Sequence, residues 1–191
     1  MGGRRGQRTE CGGEWRARHA LRPPTAALRP RRTLSRHVVG LISDTHGLVR
    51  PDVHEALAGV ELILHAGDVG GDDVLDELAL IAPILAVNGN TDPPGDPRLV
   101  ASIDRTIDGL TVHVSHGHEL GSPTPEGLFE RYPADVIVYG HTHRQLVTKS
   151  GQRWAVNPGA AGPRRFDLKP SVARLTIEDG AAKVELVPLR G

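Results

Sequence analysis

Five apolar runs in this chain each end in a short cluster of polar residues, and this arrangement is the strongest constraint on the fold. The clusters read SDTHG, HAGDVG, VNGNTD, VSHGHE and YGHTHR. Their leading members are separated by 24, 22, 26 and 25 residues, counted from Asp44 through Asp68, Asn90, His116 and His141. Each interval accommodates one strand and one return connection. The spacing therefore predicts a repeated structural unit, although no repeat of residue identity accompanies it.

The first half of this pattern predicts alternating strands and helices. Short apolar runs predict buried strands at the starts of 37–43, 60–68 and 83–90. Apolar residues at helical spacing predict helices over 51–60 and 72–81. This β-α-β-α-β order is typical of an α/β domain with right-handed crossovers.

The second half is richer in strands. The three prolines of 91–98 exclude regular structure there, and 125–132 predicts a short helix. Asp108-Gly109 and the EDGA segment at 178–181 each predict a hairpin turn. Further strands are predicted within 134–141, 145–150, 154–157, 171–177 and 183–188. So many strands with so few helices predict two stacked sheets with helices on their outer faces.

Charge divides the chain into two parts. Residues 1–36 contain ten arginines and two glutamates, 10 − 2 = +8, whereas residues 37–191 contain 13 basic and 21 acidic residues, 13 − 21 = −8. The glycines, prolines and missing apolar period of the first part predict a basic disordered N-terminal extension over 1–36, followed by a folded domain over 37–191. A nucleic-acid arm, a targeting peptide and a start codon assigned too far upstream are alternative interpretations of the extension.

Composition limits the function classes. The single cysteine, Cys11, excludes an internal disulfide and fits a reducing compartment, so we expect a cytoplasmic protein. No apolar stretch approaches the ~20 residues of a membrane span, so no membrane partner is expected. The acidic domain offers no basic groove, which argues against nucleic acid as a partner unless the basic extension supplies the positive charge. The oligomeric state stays open, and a homo-oligomer is compatible with the sequence.

The polar clusters predict a metal centre. Residues just past the carboxyl ends of parallel strands gather at one edge of a sheet, where ligands bind. The gathered candidates are Asp44, His46, Asp68, Asn90, His116, His141 and His143. Seven oxygen and nitrogen ligands exceed one tetrahedral site and suit two ions that share a bridging carboxylate. Such ligands favour Mn, Fe, Co, Ni or Zn over Ca or Mg, and the absence of sulfur ligands argues against a structural zinc.

The charges of this candidate set point to phosphorus chemistry. Two divalent ions supply four positive charges, and Asp44 with Asp68 neutralise two of them. The remainder suits a bridging hydroxide and a phosphodiester monoanion. Two ions ~3.5–4 Å apart are the usual device for in-line displacement at phosphorus.

The ordered set of motifs identifies a family resemblance. D-x-H at 44–46, G-D at 67–68, G-N at 89–90, H-G-H at 116–118 and G-H-T-H at 140–143 resemble the calcineurin-like metallophosphoesterase superfamily. The GNTD form and the NPGA segment resemble its small prokaryotic phosphodiesterase branch. The resemblance covers roughly 37–189. It implies a four-layer αββα sandwich, with two mixed β-sheets flanked by helices, and a metal-dependent phosphoric ester hydrolase that acts on a small phosphodiester.

The resemblance also assigns roles to the ligands. It implies that Asp44, His46 and His143 bind a first ion, that Asn90, His116 and His141 bind a second, and that Asp68 bridges the two. A metal-bound hydroxide would be the nucleophile. The implied cofactor is a pair of divalent transition metal ions, with Mn²⁺ as the first expectation and Ni²⁺, Fe, Co²⁺ or Zn²⁺ as alternatives.

One residue departs from the family pattern. Many members have Asn-His where this chain has Asn90-Thr91, and threonine cannot act as a general acid. His118 and Asp92 are the candidates for a proton donor or for a partner of the ligands. The residues assigned to catalysis are therefore Asp68 and Asn90, with His118 as a further candidate.

A different class of function is compatible with the same fold. The retromer subunit that resembles this family has lost ligand histidines and acts as a scaffold. A catalytically weak or inactive binding protein is therefore the alternative to an enzyme. Completeness of the ligand set discriminates the two, and none of the seven is missing here. We therefore favour the enzyme.

The other histidines are expected to have structural roles. His65 lies inside an apolar run, so we expect it to be a core residue or a hydrogen-bond partner of a metal ligand. His54 is expected to be solvated on a helix, and His113 to lie on a sheet face.

Several further residues carry weaker predictions. The segment 157–159, Asn-Pro-Gly, is expected to form a turn close to the site. Arg164 and Arg165 predict a solvated pair, with a phosphate contact as the alternative. Trp154 and Tyr139 are expected to pack in the core rather than to stack on a nucleobase.

Overall fold

The computed structural model describes residues 35–165 and 167–190. Most of the predicted basic extension, 1–36, lies outside this described part. Arg36, which we assigned to the extension, is the first residue of a strand.

The secondary structure follows the predicted order. The first half contains β1 (Arg36–Ile42), α1 (Asp52–Ala56), β2 (Leu62–His65), α2 (Asp72–Ala79), β3 (Ile84–Val87) and β4 (Leu99–Val100). The second half contains β5 (Ile103–Ile107), β6 (Leu110–Val114), a 3-10 helix (His118–Leu120), α3 (Pro125–Arg131), β7 (Val136–Val138), β8 (Leu146–Ser150), β9 (Arg153–Asn157), β10 (Ser171–Glu178) and β11 (Ala181–Pro188).

The strands form two mixed sheets. The first has the order β11-β10-β1-β2-β3-β4, and the second has the order β5-β6-β7-β9-β8. In the first sheet β1 to β4 are parallel, while β10 is antiparallel to both β1 and β11. In the second sheet β6, β7 and β9 are parallel, with antiparallel β5 and β8 at the edges. Parallel neighbours place their carboxyl ends at the same edge of each sheet.

Alternating side chains of β1 show how the layers are stacked. Val39 and Leu41 belong to the apolar cluster between the two sheets. Val38 and Ile42 point to the opposite face, where they share a second cluster with residues of α1 and α2, including Leu78. Both faces of this strand are therefore buried, which explains its continuous apolar run.

The second sheet is covered in the same way. Val136 and Val138 of β7 face the first sheet, whereas Ile137 packs with Leu128 of α3 on the outer face. Three apolar clusters therefore separate four layers. The predicted αββα sandwich, with two mixed sheets flanked by helices, is confirmed.

Three local features differ from the prediction. Helix α1 ends at Ala56 rather than at residue 60, because Gly59 adopts a left-handed conformation (φ 75°) that a helix cannot continue through. Strand β4 has two residues, too few to show an alternating pattern. The short 3-10 helix also carries no apolar period. Within the described ranges, no helix is long and apolar enough to cross a membrane.

Candidate metal centre

Backbone hydrogen bonds hold the polar clusters together at the carboxyl ends of the strands. The N–H of Asp44 donates to the carbonyl of Gly67 at 3.0 Å, and the N–H of His46 donates to the carbonyl of Asp68, also at 3.0 Å. At the same edge of the second sheet, the N–H of Gly140, which follows β7, donates to the carbonyl of His116, which follows β6, at 3.1 Å. The structure therefore brings together clusters that span about half of the chain.

Four of the predicted ligands form a compact first group. The ligand atoms of Asp44, His46, Asp68 and His143 all lie within 4.8 Å of one another. Nε2 of His143 lies 3.2 Å from Oδ1 of Asp44 and 3.3 Å from Nε2 of His46. Nε2 of His46 lies 3.7 Å from Oδ2 of Asp68. These four atoms surround one point, as the ligands of a single ion do.

The other three predicted ligands form a second group beside the first. Oδ1 of Asn90 lies 3.2 Å from Nε2 of His116 and 3.1 Å from Nδ1 of His141. Nε2 of His116 lies 3.4 Å from Oδ2 of Asp68. One oxygen of Asp68 therefore lies next to both groups.

In His116 and His141, the ring nitrogen that faces away from Asn90 shows which nitrogen carries the proton. Nδ1 of His116 donates to the carbonyl of Ala66 at 2.7 Å, and Nε2 of His141 donates to the carbonyl of Gly121 at 3.2 Å. If both rings are neutral, Nε2 of His116 and Nδ1 of His141 carry lone pairs. These lone pairs face Oδ1 of Asn90, which has no proton to donate. Histidines that bind metal ions typically donate the other ring N–H to a carbonyl in this way. The donor set therefore fits a metal ion.

A buried oxygen of the first group leads to the same conclusion. Oδ2 of Asp44 accepts a hydrogen bond from the hydroxyl of Ser43 at 2.7 Å, but Oδ1 is buried without a hydrogen-bond partner among the described residues. A buried carboxylate oxygen without a partner is rare and costly. This oxygen points toward His143 and fits a ligand to an ion.

The electrostatics of Asp68 favour its ionised form. Burial alone would raise the pKa of this carboxyl group, but hydrogen bonds from His116 and from the backbone N–H of Thr91 lower it well below its usual range. Burial lowers the pKa of His116, but its hydrogen bonds to Asp68 and to the Ala66 carbonyl outweigh burial, so that its pKa is raised above the usual value. The pair thus attracts positive charge at Nε2, which a proton or a metal ion supplies.

His46 differs from His116. Burial lowers the pKa of His46, and the positive charge of Arg165 lowers it further, against the opposing effect of Asp68. The neutral imidazole is the form that binds metal ions.

The backbone at the ligands has an uncommon conformation. Five ligand residues that are not glycine have positive φ angles of 46° to 66°: Asp44, His46, Asp68, His141 and His143. Elsewhere in the described residues, positive φ outside glycine occurs at Asp108 and Asp179, which precede the glycines of the two hairpin turns. Such conformations are unfavourable and are typical of functional sites, where the surrounding structure maintains them.

Close approach explains two glycines of the motifs. A Cβ atom on Gly89 would lie 2.1 Å from Oδ1 of Asp68. A Cβ atom on Gly140 would lie 2.8 Å from the carbonyl of Ala66 and 2.9 Å from Oδ2 of Asp44. Both positions therefore need glycine so that the ligand loops can approach one another.

Asn157 has a role that sequence reasoning did not assign. The predicted turn after β9 lies next to the site, and the side chain of Asn157 is fully buried there. Its Nδ2 donates to the carbonyl of Gly140 at 2.8 Å and to Oγ1 of Thr142 at 3.1 Å, while Oδ1 accepts from the N–H of Gly159 at 2.9 Å. Asn157 thus holds the loop that carries His141 and His143. The only signal in the sequence is the Asn-Pro-Gly turn itself.

Asp92 stabilises the backbone of two ligand loops. Its carboxylate accepts hydrogen bonds from the N–H of Gly70 at 2.9 Å and of Gly89 at 2.7 Å. Both oxygens are therefore engaged, which fits a partner of the ligand loops better than a proton donor.

His118 lies at the edge of the second group. Its ring centroid is 5.3 Å from that of His116 and 6.3 Å from that of His141. About a third of its side chain is exposed (34%), so the ring is accessible from solvent.

The remaining histidines lie where they were expected. His65 is buried, its Nε2 is 2.8 Å from Oγ1 of Thr45, and burial lowers its pKa to about 4. His54 is partly exposed and lies 3.2 Å from Glu77. His113 of β6 is buried, lies 2.8 Å from Asp104 and stacks on Tyr132.

The aromatic and arginine candidates are also placed. Tyr139 packs in the cluster under α3, and burial raises its pKa to about 12. Trp154 packs at the edge of the central cluster, with the ammonium group of Lys149 3.8 Å from its ring centroid. Arg164 and Arg165 are both exposed, but Arg165 also lines a cavity beside the site.

Comparisons with known proteins agree with this geometry. The model of the calcineurin-like phosphoesterase superfamily domain matches residues 38–180. A "probable metallophosphoesterase" of Methanothermobacter thermautotrophicus is 34% identical over 161 residues, which cover 78% of this chain and 91% of that protein. A phosphodiesterase of Methanocaldococcus jannaschii is 29% identical over 142 residues, 63% of this chain and 82% of that protein.

Solved structures show the same fold. Vacuolar protein sorting 29 of Cryptosporidium parvum superposes with a TM-score of 0.68 at 21% identity, over 82% of this chain and 99% of that chain. A structure described as a novel archaeal phosphodiesterase superposes with a TM-score of 0.60 at 22% identity, over 80% and 99% of the two chains. The family match and the arrangement of the ligands lead to one conclusion: this chain belongs to the calcineurin-like phosphoesterase superfamily.

Proposed function

We propose that this protein is a binuclear-metal-dependent phosphodiesterase. The observation that carries the proposal is the pair of ligand groups that share Oδ2 of Asp68, which lies 3.7 Å from Nε2 of His46 and 3.4 Å from Nε2 of His116. Mixed nitrogen and oxygen ligands around two adjacent points fit two transition metal ions better than one. Relatives named metallophosphoesterase and phosphodiesterase support the assignment of the reaction.

In this proposal each ion has its own ligands. Asp44, His46 and His143 hold the first ion, and Asp68 is shared with the second. The second ion is held by Asn90, His116 and His141. We expect Mn²⁺ to support activity, with Ni²⁺, Fe, Co²⁺ and Zn²⁺ as alternatives.

The residues around the ions have separate tasks. When bound, two divalent ions supply Lewis-acid polarisation of the phosphoryl oxygens and lower the pKa of water, so that a hydroxide nucleophile is available near neutral pH. Ionised Asp68 would contact both ions through Oδ2, because the backbone N–H of Thr91 donates to Oδ1 and fixes the orientation of the carboxylate. His118 is our candidate to protonate the leaving oxygen, since its ring lies beside the second group and is reached from solvent.

Surface features favour a small substrate. A cavity of about 420 Å³ opens beside His141 and His143, a volume within the ~300–1,000 Å³ range of small-molecule sites. The expectation of a cytoplasmic location rests on the single cysteine and stays a prediction.

The alternative function, a scaffold protein without catalytic activity, would not require a complete set of metal ligands. A binding protein needs no complete set of ligands, whereas here all seven side chains are present and grouped. The solved structures of vacuolar protein sorting 29 share the fold at 21% identity, which supports the architecture and assigns no partner to this chain. The complete ligand set therefore favours the enzyme.

Hydrolysis by the full chain tests the proposal. The purified protein is treated with a chelator and assayed on bis-p-nitrophenyl phosphate with each candidate metal added. We expect metal-dependent release of p-nitrophenol, and its loss in Asp68→Asn. Asp104→Asn is the matched control, because Asp104 is an exposed carboxylate of β5 away from the centre. Absence of hydrolysis with every metal would reject the enzyme and favour the scaffold.

A further inference from the structure

A second cavity adjoins the one beside the ligand loop. The first, of about 420 Å³, is lined by His141, Thr142, His143, Arg144, Arg165, Asp167 and Leu168. The second, of about 460 Å³, is lined by His143, Arg144, Gln145, Asp167, Leu168 and Lys169. Because they share four residues, the two cavities are parts of one depression, which we call the cationic pocket.

The charge of this pocket is opposite to that of the domain. Arg144, Arg165 and Lys169 supply three positive charges, and Asp167 supplies one negative charge, 3 − 1 = +2. Residues 37–191 together have 13 basic and 21 acidic residues, 13 − 21 = −8. Positive charge is therefore concentrated beside the metal ligands of an otherwise acidic domain.

The cations of the pocket are available to a ligand. Within the described part of the chain, the side chains of Arg144, Arg165 and Lys169 take part in no ion pair or hydrogen bond, in contrast to Arg98, which pairs with Asp72 and Asp76. A guanidinium group offers five donors in a planar fork that matches phosphate oxygens. Unpaired arginines in a concave site are thus suited to an anion.

The position of Arg165 links the pocket to the metal centre. Its side chain shares the cavity with His141 and His143, one ligand from each group. A substrate held at the ligands would therefore extend one of its substituents directly into the pocket.

We propose that the cationic pocket binds one ester substituent of the phosphodiester and that this substituent carries a second phosphate, which Arg165 and Arg144 recognise. This inference rests on the proposed function, because it places the scissile phosphate at the metal ligands. Asp167 and Leu168 line the same pocket. The substrate class is thus a phosphodiester in which one esterified alcohol, such as a nucleoside, carries a further phosphate.

Two probes that differ by one phosphate test this inference. The first is the p-nitrophenyl ester of thymidine 5′-phosphate, and the second is the same ester with an additional 3′-phosphate. Both release p-nitrophenol, so the leaving group is matched. For the full chain with Mn²⁺ we expect kcat/KM to be higher for the bisphosphate by about tenfold or more, as charge-assisted hydrogen bonds provide.

Arginine variants assign the preference. Arg165→Ala should reduce the ratio of the two kcat/KM values to about one or two, and Arg165→Lys should retain part of it. Arg164→Ala is the matched control, since its neighbouring guanidinium does not line the pocket, and it should keep the ratio. A wild-type ratio near one, or an equal loss for both probes in Arg165→Ala, would overturn the proposal.

Calorimetric binding separates this inference from the proposed function. Thymidine 3′,5′-bisphosphate should bind more tightly than thymidine 5′-phosphate, and Arg165→Ala should remove the difference. If the binding preference persists while neither probe is hydrolysed with any metal, the enzyme proposal fails and the pocket stands. If both probes are hydrolysed and bound equally well, the pocket is rejected and the enzyme stands.

Discussion

Nε2 of His143 lies 3.2 Å from Oδ1 of Asp44, a buried oxygen that accepts no hydrogen bond within the described residues. Both atoms are metal-ligand types, and both approach the ligand atoms of His46 and Asp68. The cost of burying this oxygen is offset when a cation binds between the two atoms. Five candidate ligand residues have unfavourable backbone conformations. Such conformations are typical of functional sites, and cation binding at this pair would be such a function.

Ser43 orients this carboxylate. Its hydroxyl lies 2.7 Å from Oδ2 of Asp44, which leaves Oδ1 directed toward Nε2 of His143. We expect Ser43→Ala to weaken metal binding at the first group by about 10–100-fold, the usual effect of removing a partner of a metal ligand. Metal titration monitored by calorimetry measures the change. Ser150→Ala, on the exposed end of β8, is the control, and equal affinities in both variants would contradict this role.

Asn157 is predicted to couple the stability of the domain to the metal centre. Its buried side chain donates to the Gly140 carbonyl and accepts from the Gly159 N–H. Asn157→Ala should lower the free energy of unfolding by about 1–3 kcal/mol, because buried backbone groups lose their partners.

Asn157→Asp is the matched variant, since it retains the acceptor and removes the donor. Urea unfolding of the metal-free protein measures stability, and kcat reports the position of the ligand loop. If Asn157→Asp behaves like the wild type in both measurements, the bond to Gly140 has no such importance.

The closeness of two ligand loops at Gly89 gives a third prediction. Gly89→Ala would place a methyl group 2.1 Å from Oδ1 of Asp68, so either the loop or the bridging carboxylate must move. We expect kcat to fall by about 100-fold or more, as misplacement of a catalytic group by about 1 Å produces. Gly127→Ala is the control, because a Cβ there meets only Oγ1 of Thr124, at 3.5 Å. Full activity in Gly89→Ala would show that the approach is not required.

His65 predicts a pH dependence of stability. Burial lowers its pKa to about 4 from a reference of 6.5, so the folded protein holds it neutral while the unfolded chain takes up a proton. Its contribution is fully present above about pH 6.5 and decreases as the pH falls through the window to about 4.

The variant His65→Gln removes this proton uptake and keeps an amide near Thr45. Between pH 7 and pH 4.5, the loss of unfolding free energy should be smaller in the variant by about 2 kcal/mol. Urea unfolding in the presence of a chelator measures both proteins. Parallel pH profiles of the wild type and the variant would show that His65 does not contribute in this window.

The sequence predicts the layers of this fold well, because apolar periodicity records which side chains are buried. The run Val-Val-Gly-Leu-Ile of β1 is apolar on both faces and is buried on both faces. The early end of α1 was not predicted, because a glycine inside an apolar pattern does not reveal its φ angle. Strand β4 was missed because two residues that pair only through tertiary contacts have no pattern of their own.

In the candidate site, too, some features could be predicted from the sequence and others could not. The seven candidate ligands could be proposed from the sequence because their residue types and their positions after strands are local features. The hydrogen bonds of Asn157 and the approach of Gly89 to Asp68 depend on loops far apart in sequence, so no local pattern indicates them. The cationic pocket likewise arises only when Arg165 is brought beside His143, and we had predicted that Arg164 and Arg165 form a solvated pair.

Metal stoichiometry tests the central claim most directly. Metal-free full-length chain is titrated with Mn²⁺, and bound metal is counted for the wild type and three variants. We expect about two ions per chain in the wild type, about one in Asp44→Asn and in His141→Asn, and none bound tightly in Asp68→Ala. A wild type that binds one ion or fewer, or an Asp68→Ala variant that retains both, would contradict a binuclear centre bridged by Asp68.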